Sequence, residues 1–249
     1  TGEEVMPRIV AIVQARMSSK RLPGKVLKEI KGNNVNITET MLSRVVCRVR
    51  HSKLINGVVV ATTCNKEDDA IADLCKCRMW ECFRGDDADV LNRYLRAALE
   101  YKADAIVRIT ADCPLIDPEI IDRCIALFLE EYPDIDYVSN TMPRTYPRGL
   151  DTEVFTMRVL MKEWLNSTKW REHVTLNLRN NQNGYRIKSV SNDTDLSYMR
   201  WTVDTQEDLD FVRDVYRYFG DDSFGWEDVL KLLKTRPELV ISDKQVDPK

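Results

Sequence analysis

Ile9-Val10-Ala11-Ile12-Val13-Gln14-Ala15-Arg16-Met17-Ser18-Ser19-Lys20-Arg21-Leu22-Pro23-Gly24-Lys25 is the stretch on which the reading of this chain turns. The unbroken apolar run from Ile9 to Val13 describes a strand buried on both faces, as strands of parallel sheets are. Four cations in ten residues follow at once (Arg16, Lys20, Arg21 and Lys25), with two serines and a Pro-Gly turn among them. A loop at the carboxyl end of a parallel strand is where open α/β sheets bind ligands. Arg offers a planar fork of donors to phosphate oxygens and Lys a point charge, so the set suits a polyphosphate. A solvated basic loop is the plain alternative, but strand, turn and cation spacing coincide here. The loop is neither a Walker A motif nor a dinucleotide fingerprint, since G-x-x-x-x-G-K-[ST] and G-x-G-x-x-G are both absent.

Outward from this loop, apolar strands alternate with helical patterns. Residues 37–50 carry apolar positions near helical spacing (Met41, Leu42, Val45, Val46, Val49), with Thr38 or Thr40 placed to cap them. Residues 58–62 form a second strand, 66–79 a helix, 89–101 another helix, and 105–109 another strand; a helix over 117–131 starts at Pro118, a favoured first-turn position. This alternation predicts βαβ units and a mainly parallel sheet flanked by helices, the α/β class. The rhythm breaks after about Asp136. Residues 141–153 hold Pro143, Pro147 and Gly149 between Arg144 and Arg148, too interrupted for a helix interior. Beyond them we expect a strand over 152–156, helices over 158–166 and 172–180, and a strand over 185–190. A last helix opens at Thr205, with Asp208 reaching back to complete the cap. No Gly- or Ser-rich linker and no repeat divides the chain, so residues 1–249 read as one domain with an inserted segment at about 141–190.

Composition narrows the function classes. With 249 residues, 43% hydrophobic and 31% charged, the chain can bury one large α/β core. The formal net charge of −3 carries no basic footprint for nucleic acid, so the phosphate-seeking charge is local. No apolar run approaches the ~20 residues of a membrane span. Seven cysteines form no C-x-x-C pair, and with two histidines they argue against a zinc site; reduced thiols and a cytoplasmic setting are expected. Cys113 has no histidine near it in sequence to activate it, so a packing role is expected there.

Five further segments join the loop in an ordered pattern. They are Arg84-Gly85-Asp86-Asp87-Ala88-Asp89-Val90-Leu91-Asn92-Arg93-Tyr94, Arg108-Ile109-Thr110-Ala111-Asp112-Cys113-Pro114-Leu115-Ile116, Gly149-Leu150-Asp151-Thr152-Glu153 with Arg171-Glu172-His173-Val174-Thr175, and Arg200-Trp201-Thr202-Val203-Asp204-Thr205. Together with R-x-x-S-x-R-L-P-G-K they make the chain similar, over roughly residues 8–220, to the CMP-sugar synthetases, and within them to the SpsF-like cytidylyltransferases. That branch reads Q-A-R before the loop, as Gln14-Ala15-Arg16 does. The chain departs from the family pattern at Ser18, often Gly, at Lys20, often Thr, and around Ala111-Asp112-Cys113.

The resemblance implies a nucleotide-diphospho-sugar transferase fold and a CTP-dependent cytidylyltransferase. Such an enzyme couples CTP to an acidic sugar of octulosonate or nonulosonate type and releases pyrophosphate. It implies Mg²⁺ held by Asp112 and Asp204, two carboxylates being sufficient when phosphate oxygens and waters complete the shell. Arg16, Lys20, Arg21 and Lys25 are expected on the β- and γ-phosphates, with Ser18, Ser19 and the loop from Ala15 donating to phosphate oxygens. Thr62, Thr63 and Arg84, at the next strand ends, are expected beside base and ribose. Arg108, Arg144, Arg148, Glu153 and His173 are the candidates for an anionic acceptor. The inserted segment is expected to reach a second subunit of a homodimer.

Other readings keep some of these residues. The acceptor could be a phosphate or phosphonate. A glycosyltransferase of related architecture would use a D-x-D metal motif, a pattern that Asp87-Ala88-Asp89 fits. A catalytically silent nucleotide-sugar binding module would need neither Asp112 nor Asp204.

Overall fold

The computed structural model describes residues 6–32, 39–167, 171–180 and 184–241. Its centre is a seven-stranded sheet in which β1 (Ile9–Gln14) lies between β2 (Gly57–Thr63) and β4 (Ala105–Thr110), parallel to both. The strand β3 (Glu81–Gly85) extends one edge in parallel. The other edge is built from β6 (Glu153–Thr156), antiparallel to β4, then β5 (Tyr137–Ser139) and β7 (Ile187–Ser189), giving the order β3-β2-β1-β4-β6-β5-β7. The sheet is therefore mainly parallel, and its antiparallel member enters where the βαβ rhythm of the sequence breaks.

Alternation along β1 sends its side chains into two cores. Ile9, Ala11 and Val13 face α1 (Met41–Arg50), α2 (Asp69–Cys77) and α4 (Pro118–Glu130) through Val45, Val49, Ile71, Ile121 and Phe128. Val10 and Ile12 face α3 (Val90–Glu100) and α5 (Met157–Asn166) through Leu91, Tyr94, Val159 and Leu160. A third cluster joins α7 (Gln206–Phe219) and α8 (Trp226–Thr235) to Tyr146, Leu150 and Trp201. Residues 141–153 are thus covered in part by their own chain. Among the described residues no helix is long and apolar enough to cross a membrane.

Caps placed from sequence recur in the structure. Thr40 accepts from Ser43 N at the start of α1, while Thr38 and the expected beginning of that helix lie outside the described residues. Thr205 and Asp208 form a capping box on α7. The helix expected over 172–180 shrinks to α6 (Leu176–Arg179). Its first turn is diverted: Arg171 O accepts from Leu91 N, and the Arg171 guanidinium binds Asp89 and the carbonyls of Trp164 and Ser167.

Candidate active site

The basic loop is shaped by a buried carboxylate. Asp68, fully buried, accepts from Met17 N at 2.7 Å with one oxygen and from the Thr63 hydroxyl with the other. Met17 O then accepts from Ser19 N at 2.9 Å and Gly24 N at 3.0 Å, closing the loop on itself. Gly24 sits at φ +66°, a left-handed conformation that glycine adopts without steric cost. With Leu22 and Val26 buried as anchors, Arg16 and Arg21 remain 49% and 57% exposed on the rim, whereas Lys25 turns inward.

Lys25 Nζ meets three oxygens: Asp112 Oδ2 at 3.0 Å, Asp204 Oδ1 at 3.0 Å and Val203 O at 2.7 Å. An ammonium has three protons, so its donor capacity is spent. This differs from the expectation that Lys25 grips phosphate: it holds together the two carboxylates assigned to the metal. Arg21 adds a contact to Asp204 Oδ2 at 2.9 Å. Backbone bonds bring the pair together, since Val203 N donates to Asp112 O at 2.8 Å. Asp204 N and Thr205 N both donate to Asp208, which Arg200 fixes at 2.6 Å. Burial alone would raise the Asp112 carboxyl, but the Lys25 ammonium and the Thr110 hydroxyl outweigh it and hold it below the ordinary value. Burial likewise pulls the Lys25 ammonium down, and Asp112 and Asp204 together push it above its usual value.

Over this pair opens a pocket of about 620 Å³, lined by Gln14, Arg16, Ser18, Ser19, Lys20, Arg21, Lys25, Thr110, Asp112 and Asp204 among others. That volume lies within the range of small-molecule sites. A second pocket of about 210 Å³ shares Thr110, Asp112 and Asp204 with the first and adds Arg108, Cys113, Arg148, Gly149, Asp151, Arg179 and Thr202. Gly149, at φ +114°, shapes its wall: a Cβ there would lie 2.7 Å from Thr202 N.

The remaining candidates separate. Arg108 and Glu153 are register partners on β4 and β6 and form an ion pair at the smaller pocket, where Arg148 also stands. Arg144 makes a bidentate pair with Asp151 at 2.5 and 2.7 Å and reaches the pocket only through that partner. His173 is 56% exposed beside Glu172 and lines neither pocket, because the turn before α6 is tied to α3. Ala15 is buried, continuing the ladder to Ala61 O. Thr62 and Thr63 are fully buried, and Thr63 serves the loop anchor. Arg84 donates to Thr63 O and Asn65 O and pairs with Asp69, bracing the strand end and lining neither pocket. Burial and Asp112 push the Cys113 thiol well above its ordinary value, so it stays protonated in a packing role. The D-x-D pair is otherwise engaged: Asp89 caps α3 and binds Arg171, while Asp87 pairs with Arg16.

Sequence reasoning missed Arg179, Asp151 and Thr202. Asp151 and Thr202 stand inside the motifs quoted above, whereas Arg179 lies in a helical pattern with no sign of which face it presents.

A polyphosphate-sized pocket under a cationic loop, with two convergent carboxylates, one beyond the carboxyl end of a parallel strand and one at a helix start, defines a nucleotidyltransferase. Residues 10–232 match the cytidylyltransferase family profile, and the chain belongs to that family. It is 35% identical to an uncharacterized protein of Methanocaldococcus jannaschii over 236 residues, 93% of each chain. It is 29% identical to the spore coat polysaccharide biosynthesis protein SpsF of Bacillus subtilis, covering 94% of this chain and 97% of that one. A cytidylyltransferase structure from Leptospira borgpetersenii superposes with a TM-score of 0.88 at 33% identity, covering 98% of this chain and 100% of that one. A CMP:2-keto-3-deoxy-manno-octonic acid synthetase complexed with CTP shares the fold, with a TM-score of 0.63 at 19% identity over 84% of this chain and 98% of that one.

Proposed function

We propose that this cytidylyltransferase transfers CMP from CTP to a hydroxyl of an acidic sugar, of octulosonate or nonulosonate type, for surface polysaccharide or glycan synthesis. The observation that carries this reading is the shared wall between the two pockets. Asp112 and Asp204 border both the cation-rimmed 620 Å³ space and the arginine-lined 210 Å³ space. A triphosphate in the first and an acceptor in the second would meet at these carboxylates.

In the reaction the acceptor hydroxyl oxygen bonds to the α-phosphorus and gives up its proton to solvent, the bond from that phosphorus to the bridging oxygen breaks, and pyrophosphate leaves with the electron pair. Arg16, Lys20 and Arg21, with Ser18 and Ser19, neutralise and orient the β- and γ-phosphates. Lys25 holds the two carboxylates converged and keeps that of Asp112 below its ordinary value. The donor set fits Mg²⁺: two carboxylates, 30% and 22% exposed, border one pocket, each with a second oxygen beyond the one Lys25 holds, and phosphate oxygens would complete the shell. Among the described residues no cluster of three or more His, Cys, Asp and Glu could hold a metal alone. Asp112 and Asp204 would hold the ion, which when bound acts as a Lewis acid on the phosphate.

A phosphate or phosphonate acceptor is the second reading, favoured by the same arginines. The glycosyltransferase reading loses its D-x-D pair to helix capping and ion pairing. A silent binding module would leave the Asp112–Lys25–Asp204 convergence without purpose. A homodimer is part of the proposal, on the resemblance and on the irregular 141–153 segment, and light scattering at micromolar concentration tests it; a monomer with full activity would refute it.

The deciding experiment incubates the protein with each nucleoside triphosphate, Mg²⁺ and a panel of acidic, phosphorylated and neutral sugars, and follows pyrophosphate. CTP with an acidic sugar is the expected productive pair. Turnover with phosphorylated acceptors alone would move the assignment to the second reading.

A further inference from the structure

The chain reverses sharply after α2, and the reversal puts two cysteines into one core. Arg78 N donates to Leu74 O, Met79 turns at φ +54°, and Trp80 N returns to Cys75 O at 2.8 Å, so that β3 runs back against the helix. Cys75 and Ile71, one turn apart, are the buried residues of α2. Cys82 stands beside Val60 in the β2–β3 register and packs on the same cluster. There the Cys75 thiol donates to the Cys82 sulfur. Cys75 is sealed at 0% exposure, whereas Cys82 is partly exposed on the edge strand of the sheet. The proton donated by Cys75 draws the Cys82 thiol below its ordinary value against the effect of burial, and the Arg84 guanidinium adds to the pull. The same contact, with burial, keeps the Cys75 thiol protonated. Both elements lead to the basic loop. The helix follows directly on Asp68, which fixes Met17 N, and the strand carries Arg84, which binds Thr63 O, Asn65 O and Asp69.

We propose that Cys82 and Cys75 form a peroxide-reactive pair, with Cys82 attacking and Cys75 resolving, and that their disulfide loosens the basic loop. The thiolate is the nucleophile in such chemistry, and partial exposure admits the oxidant to Cys82 alone. The Cys82 sulfur attacks one oxygen of hydrogen peroxide, and the O–O bond breaks. Hydroxide leaves and takes up the proton that Cys82 released, giving water and a sulfenic acid. The Cys75 sulfur then attacks the Cys82 sulfur, the S–O bond breaks, and the departing hydroxyl leaves with the Cys75 proton as a second water. Two thiols are oxidised by two electrons, and one peroxide is reduced to two waters. A disulfide of about 2.05 Å is far shorter than a hydrogen-bonded sulfur contact. Bridging therefore draws the last turn of α2 onto β3 and shifts Asp68 and Arg84 with them. The effect on the loop rests on assigning that loop to CTP; the thiol chemistry stands apart from it.

The test treats the full, reduced chain with hydrogen peroxide, blocks the remaining thiols and weighs the tryptic peptides. Trypsin cuts between the two cysteines, at Lys76 and Arg78, so a bridge joins two peptides. That bridge should appear before Cys64 or Cys77, both exposed, is oxidised, and dithiothreitol should reverse it. Cys75→Ala, which keeps the core apolar, should stop Cys82 at a sulfenic acid that dimedone traps. Cys82→Ser should leave Cys75 a free thiol. Calorimetry with CTP and Mg²⁺ should show Kd raised about 3- to 10-fold in the bridged protein, the scale of one hydrogen bond, and unchanged in peroxide-treated Cys82→Ser. Oxidation of Cys64 or Cys77 first, or no bridge between Cys75 and Cys82, would overturn the pair. An unchanged Kd in the bridged protein would overturn the effect on the loop. CTP that binds neither the reduced nor the bridged form would sink the nucleotide reading instead, and the thiol pair would still be judged by its peptides.

Discussion

Lys25 Nζ stands 3.0 Å from Asp112 Oδ2 and 3.0 Å from Asp204 Oδ1, joining carboxylates that lie 92 positions apart in the chain (204 − 112). The loop that opens the fold thus reaches through it to tie the end of β4 to the start of α7. Replacing Lys25 with Met should leave two carboxylates and Val203 O without their donor. The expected cost is about 1.5–3 kcal/mol, read as a lower urea midpoint, with turnover lost as well. Stability unchanged within error would mean that the ammonium contributes no net energy there.

Asp112→Asn and Asp204→Asn each keep shape and one acceptor oxygen while removing charge. Each should fold normally, by circular dichroism, and lower turnover about 100-fold or more, since a Lewis acid is worth several kcal/mol. Chelation of the wild type should have the same effect, and restoring Mg²⁺ should reverse it. Near-normal turnover of either variant at saturating Mg²⁺ would remove that residue from the ligand set.

Arg16 is half exposed on the loop rim, 3.4 Å from Asp87, and is assigned to the outer phosphates. Arg16→Ala should weaken CTP binding far more than CMP binding in calorimetry. Equal losses for both nucleotides would place it at the base or the α-phosphate.

Acid stability should report on Glu153. Burial alone would raise its carboxyl, but Arg108 and Arg179 outweigh burial and hold it far below its ordinary 4.5. A depressed folded value means that the unfolded chain takes up the proton first as pH falls. The contribution is complete above about pH 4.5 and is lost progressively below it, towards the folded value. Urea midpoints from pH 7 to pH 3 should therefore fall for the wild type and fall less steeply for Glu153→Gln. Parallel profiles would show that the buried ion pairs are not what titrates.

Asp68 anchors the loop by accepting from Met17 N and Thr63 at once. Asp68→Ala should cost about 1–3 kcal/mol by leaving buried donors unmet, and should raise the KM for CTP through a loosened loop. An unchanged KM would separate loop shape from nucleotide binding.

What could be read from the sequence was what local patterns encode. The apolar run of β1, the Pro118 start of α4 and the Thr205–Asp208 cap each carry a short-range signature, and each is found in place. The loop cations and both aspartates line one pocket, Asp112 just beyond the end of β4 and Asp204 just before α7. Partnership across the chain was not legible. Lys25 carries no mark in sequence that it turns inward, nor Thr63 that it serves Asp68. Arg179 and His173 sit in one helical pattern, and only tertiary bonds from Arg171 to α3 decide that the first reaches the pocket and the second stays in solvent.

Phosphorus NMR of CTP incubated with Mg²⁺, the protein and 3-deoxy-manno-octulosonate or N-acetylneuraminate tests the central claim most directly. The account predicts loss of the triphosphate signals with equal gains in pyrophosphate and in a CMP phosphodiester, from wild type but not from Asp204→Asn. Pyrophosphate appearing with free CMP, or CTP surviving intact with every acidic sugar, would contradict it.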